Sequence, residues 1–103
     1  MRENGLQARI VCELNAVAGC QAVPLWRGPA GSPDIIGSYM GGAFVIECKV
    51  EGNKPTKIQQ HRLRQWRSAG AVGAIAREGF DVSAFLSGLP GPFPTPRAVP
   101  HRT

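Results

Sequence analysis

The chain has 103 residues, 43% of them hydrophobic, with 12 Lys and Arg against 7 Asp and Glu, a formal charge of +5 and a pI near 9.7. That length holds one domain, and that apolar content excludes wholesale disorder. The basic excess favours a polyanionic partner, nucleic acid before a membrane surface, while the absence of any apolar run of about 18 residues or of an apolar leader points to a soluble cytoplasmic protein.

Leu6, Ile10, Leu14 and Val17 recur at helical spacing and predict a first helix over 3–17, with Gly19 as its stop. Cys12, Cys20 and Cys48 include no CxxC pair, so reduced thiols are expected rather than a disulfide framework or a zinc site. Gln21 to Arg27 reads as a short strand that Pro24 pushes toward an edge. After a GPAGS loop, Asp34 to Tyr39 and Ala43 to Val50 read as strands joined at Gly41-Gly42, a hairpin signal because tight primed turns need positive φ. Thr56 opens a second helix that Gly70 closes. Ala71 to Ala76 reads as a buried strand and Asp81 to Leu86 as a short helix. From Leu89 on, five prolines predict a flexible tail, so the folded domain is expected over 1–88 and the tail over 89–103. The order α-β-β-β-α-β-α is that of an α/β fold, a mixed sheet flanked by helices.

Side chains alternate along a strand, which puts Glu47 and Lys49 on one face and Phe44, Ile46, Cys48 and Val50 on the other. A turn at Gly41-Gly42 sets Met40 opposite Ala43, Ile36 opposite Glu47 and Asp34 opposite Lys49. Asp34, Glu47 and Lys49 then converge at one end of the hairpin. From geometry alone three readings are open. The group is a cross-strand salt bridge on a solvated face, an anion site organised by Lys49, or a divalent-metal site in which the two acids supply hard oxygen ligands.

Two more polar side chains point inward. Glu3 lies near the centre of the first helix's apolar stripe with Gln7 beside it, where an acid also complements the helix dipole. Gln59 heads the stripe Gln59, Leu63, Trp66 of the second helix, and Thr56 to Gln59 also fits a capping box. Glu13 has an i−4 partner in Arg9 and reads as structural. Lys57, Arg62, Arg64 and Arg67 on the second helix, with no acid among them, suit a phosphate backbone.

Glu3, Gly31-Ser32-Pro33-Asp34, Glu47-Cys48-Lys49, Lys54-Pro55-Thr56 and Gln59, in that order, resemble the VRR-NUC family, the virus-type replication-repair nucleases of the PD-(D/E)xK superfamily. The resemblance covers roughly residues 3–76. It implies a restriction-endonuclease-like core and a Mg²⁺-dependent endonuclease, with Mn²⁺ able to substitute. It implies that Glu3, Asp34 and Glu47 bind metal, that Lys49 is the catalytic lysine and that Gln59 lies near the active centre. It further implies a homodimer acting on branched DNA such as four-way junctions, in a phage or bacterial host. Cys48 departs from the pattern, where a β-branched residue is more usual. The rival expectation is a non-catalytic nucleic-acid-binding module on the same fold; a small basic structural protein is the third.

Overall fold

A computed structural model describes residues 3–90. The elements are α1 (Glu3–Asn15), β1 (Cys20–Pro24), β2 (Ile35–Tyr39), β3 (Gly42–Cys48), α2 (Lys57–Ser68), β4 (Val72–Ala76) and α3 (Val82–Ser87), in the predicted order. Leu89, at the head of the expected tail, packs partly against the core. The expectation for 91–103 lies outside the described residues.

The strands form one sheet in the order β1-β2-β3-β4, antiparallel for the first two pairings and parallel for β3 with β4. A parallel neighbour requires a crossover, and α2 supplies it. Thr56 starts α2 as a full capping box with Gln59, and Asp81 caps α3 through the Ala84 amide.

Helices lie on both faces of the sheet. On one, Leu6, Ile10 and Leu14 of α1 and Val82 and Leu86 of α3 pack on Cys20, Ala22, Ile35, Phe44, Ile46, Cys48 and Ala76. On the other, Leu63 of α2 is buried. The interior strand β3 is therefore buried on both sides, as interior strands of α/β folds are. The face that carries Glu47 and Lys49 is covered rather than solvated. β4 is an edge strand and not the fully buried strand expected, and its Ile75 is exposed. β1 is the other edge, as anticipated, but it ends at Pro24, which can donate no ladder hydrogen bond, short of the expected Arg27.

The hairpin register differs from the expected one by two residues. Tyr39 pairs with Gly42 and Ile35 with Ile46, so the turn is Met40-Gly41, with φ of 50° and 89°. Positive φ at both central residues is what a type I′ turn demands. The physical reason lies in mid-strand. The observed register sets Gly37 opposite Phe44. The Phe44 ring occupies the space a side chain at 37 would need: a Cβ there would sit 2.5 Å from Phe44 Cζ and 2.6 Å from the Gln21 carbonyl oxygen. Because the shift is even, every side chain keeps its face. The Asp34 amide donates to the Ile46 carbonyl at 3.0 Å, so Asp34 comes beside Glu47 instead of Lys49.

Gly37→Ala should therefore destabilise the domain by about 1–3 kcal/mol, the usual cost of overpacking. That lowers the thermal midpoint by several degrees; an unchanged midpoint would show that Phe44 can move aside.

Candidate active site

The site is assembled at the ends of β2 and β3. Asp34 is placed by its own backbone. Its N–H donates to Ile46, and its carbonyl accepts from the Leu25 amide at 2.8 Å and from Gln7 Nε2 at 2.6 Å. Gln7 is buried on α1, so the first helix is tied directly to the end of the hairpin. Before Asp34, Gly31 has φ of 80° and runs so close to Ile58 of α2 that a Cβ would meet the Ile58 backbone at 2.9 Å. Only glycine fits both demands without strain. Pro33, next in line, is buried.

The Asp34 side chain turns back onto β3, where Oδ2 accepts the Cys48 amide at 2.7 Å. A carboxylate on a backbone N–H is a charge-assisted bond and fixes the acid's direction. Cys48 thus contributes its main chain. Its thiol is pushed up to about 12 by burial and by the charges of Asp34, Glu47 and Glu3, and is inert at neutral pH.

Glu47 is 1% exposed. Gln59 Nε2 donates to its Oε1 at 3.2 Å, while Gln59 Oε1 accepts the Thr56 amide at 2.9 Å. The capping box therefore orients the amide: with the oxygen committed to Thr56, the NH₂ must face Glu47. The cap and the site contact expected of Gln59 are both present. Glu47 Oε2, by contrast, is buried with no hydrogen-bond partner. Burial raises the Glu47 pKa to about 8, helped by the adjacent Asp34 carboxyl and opposed by Lys49.

Lys49 is 7% exposed, and its amide continues the β3–β4 pairing by donating to the Ala76 carbonyl at 2.9 Å. Among the described residues its ammonium makes no ion pair, so the Asp34–Lys49 salt bridge, one of the three readings open from sequence, is not formed. Its charge still acts on Glu47.

Glu3 stands at the margin. Its Oε2 accepts from Asn53 Nδ2 at 3.3 Å, and it lines a cleft of about 230 Å³ with Asp34, Gln7, Asn4, Leu25 and Trp26. Among the described residues no three His, Cys, Asp or Glu side chains cluster closely enough to hold a metal ion by themselves. Two carboxylates suffice for a hard cation that keeps several waters. The orphaned Oε2 beside a second acid fits such an ion: a positive charge there would supply the missing partner and relieve the acid–acid repulsion.

The four basic residues of α2 do not act as one stripe. Arg64 and Arg67 border a groove with Lys54, Gln60, Leu63 and Ile75, and Lys57 is exposed at the helix start. Ile75 pairs with Glu47 across the strands, so this groove runs one strand from the acids. Arg67 also donates to the Gly73 carbonyl. Arg62 lies on the opposite flank and donates to the Ala30 carbonyl and to Gln65. Sequence reasoning did not place Lys54 in the groove or give Gln7 its bond to Asp34, although Gln7's inward position was readable on the helical wheel.

No family model matches the chain. It is 29% identical over 89 residues to "Putative nuclease p44" of Acyrthosiphon pisum secondary endosymbiont phage 1, covering 84% of this chain and 92% of that one. It superimposes on a solved VRR-NUC domain protein with a TM-score of 0.59 at 18% identity, over 84% of each chain. The order of elements and the mixed, helix-flanked sheet agree with that fold. No helix among the described residues is long and apolar enough to cross a membrane.

The buried acid makes a prediction in metal-free buffer. Unfolded Glu47 ionises near 4.5, whereas folded Glu47 keeps its proton until about 8. Between these values the native state binds more protons, so Glu47's contribution to stability is full below the lower value and is lost as pH rises to the upper one. Melting temperatures from pH 4.5 to 8.5 in EDTA should decline for wild type relative to Glu47→Gln. Parallel curves would show that Glu47 is not held protonated.

Proposed function

From the VRR-NUC fold and the acid pair at its strand ends, we propose that the protein is a Mg²⁺-dependent DNA endonuclease hydrolysing phosphodiester bonds. The observation that carries this reading is Glu47 Oε2, buried without a hydrogen-bond partner under the influence of Asp34 and Lys49. The relative named as a nuclease supports it. Asp34 and Glu47 are the residues to hold the ion, Mg²⁺ or Mn²⁺, with Glu3 available from the cleft wall. When bound, such an ion polarises a phosphoryl oxygen and lowers the pKa of a coordinated water.

The chain's own groups do the rest. The Cys48 amide keeps Asp34 aimed at the site, and Gln59 occupies Glu47 Oε1 so that Oε2 is the oxygen left to bind. Lys49, a buried cation without a carboxylate partner, orients the attacking water and offsets negative charge building on the phosphoryl group. The groove of Lys54, Arg64 and Arg67, with Lys57, carries the flanking phosphates. Branched DNA as substrate and a pair of protomers as the working unit rest on the resemblance to the family.

Purified protein should cut at least one of fork, flap, four-way junction or duplex DNA with Mg²⁺ or Mn²⁺ and none in EDTA. Asp34→Asn, which keeps an acceptor for the Cys48 amide, and Lys49→Ala should each lower the rate by at least about 10²-fold with folding intact. Salt-sensitive DNA binding that needs no divalent ion, with no cleavage of any substrate, would instead establish the non-catalytic binding module.

The groove assignment is tested separately. Alanine at Lys54 or Arg64 should weaken binding to every sequence alike. Each should also reduce the slope of log affinity against log salt by about 0.9. Arg62→Ala should change that slope less, because its guanidinium is committed to Ala30 and Gln65.

A further inference from the structure

Trp26 is the most exposed large hydrophobic side chain described, at 68%. A single exposed apolar side chain is ordinary on a protein surface, but this one lines the cleft that also holds Asp34 and Glu3. Its position is fixed by the same bonds that fix the site. Leu25, its neighbour in sequence, donates its amide to the Asp34 carbonyl, the atom that also receives Gln7. Trp26 and Asp34 line one cleft of about 230 Å³, together with Glu3 and Asn4.

Resting on the nuclease reading, we propose that Trp26 is a stacking platform for an unpaired nucleobase next to the bond that is cut, and so selects DNA with unpaired nucleotides over continuous duplex. Two features favour a base over other occupants. The exposed indole is flat and uncharged, so the part of a nucleotide that matches it is the planar base. Arg27, exposed immediately after Trp26 and without a partner among the described residues, is placed to take the phosphate beyond the cleft. A base inside a duplex has both faces covered by its neighbours, so only a splayed or single-stranded base can use such a platform. Aromatic stacking of this kind tolerates any base, so the preference is for structure and not for sequence.

The test uses the full chain, Trp26→Phe, Trp26→Ala, and two DNAs of one sequence, a fork with unpaired arms and a closed duplex. In EDTA, fork binding should quench the tryptophan fluorescence of wild type. Trp26→Phe retains only Trp66, and the quench should be largely lost in it. In Mg²⁺, Trp26→Ala should lose about 5-fold or more in cleavage of the fork beyond any loss on duplex, in KM more than kcat, with Trp26→Phe recovering most of it. Equal losses on fork and duplex, or a quench that survives Trp26→Phe, overturn the proposal. So does a Trp26→Ala chain that changes oligomeric state while the fork causes no quench, which would mark a protein contact instead. Quenching by the fork without cleavage of any DNA keeps the platform and removes the nuclease reading. Cleavage indifferent to Trp26→Ala does the reverse.

Discussion

Glu47 is a carboxyl group sealed inside the sheet's α2 face beside a second acid, and most of the local structure accommodates that fact. Burying a carboxylate without partners is costly enough that the group takes up a proton instead, which is why its pKa climbs to about 8. The neighbours meet only part of its needs. Gln59 serves one oxygen, Lys49 contributes charge, and the other oxygen has no hydrogen-bond partner. A fold that merely needed a strand residue here would be better served by a valine. Retaining an unsatisfied acid in the interior is the kind of local violation that marks a functional position.

The surrounding elements make sense as a frame for that acid pair. β3 is interior, so Glu47 is held on rigid, doubly covered backbone. The parallel neighbour β4 forces the α2 crossover, and the first turn of α2 is where Gln59 must stand to reach Glu47. Gly31 lets the strand entry pass against Ile58 of the same helix, and α1 reaches the other acid through Gln7. Three elements far apart in sequence thus meet at Asp34 and Glu47. Loosening any of them would shift Asp34 or Glu47.

Much of this was legible in the chain. Glycines punctuate it at 19, 41 and 70, apolar spacing separates helix from strand, and the element order follows. Face parity brought Asp34, Glu47 and Lys49 together even though the register was wrong, because an even slip leaves faces unchanged. The register itself could not be read. Choosing Met40-Gly41 over Gly41-Gly42 depends on the Phe44 ring lying over Gly37, a contact between strands with no local signature. The burial of Glu47 and Lys49 was hidden too, since alternation along β3 does not say which helix will cover which face. Trp26 was silent in sequence because its nearness to Asp34 comes from one backbone hydrogen bond at a loop entry. The split between Arg62 and the pair Arg64 and Arg67 could have been read from the helical wheel, on which they fall on opposite sides of the Leu63 stripe.

The central claim is that the acid pair is a cation site. Crystals grown in Mn²⁺ and measured at a wavelength where manganese scatters anomalously test it most directly. The account predicts a peak about 2 Å from an Asp34 oxygen and from Glu47 Oε2, with Gln59 still on Oε1. A manganese ion bound elsewhere, or saturating Mn²⁺ that leaves Glu47 Oε2 sealed and unliganded, would contradict it.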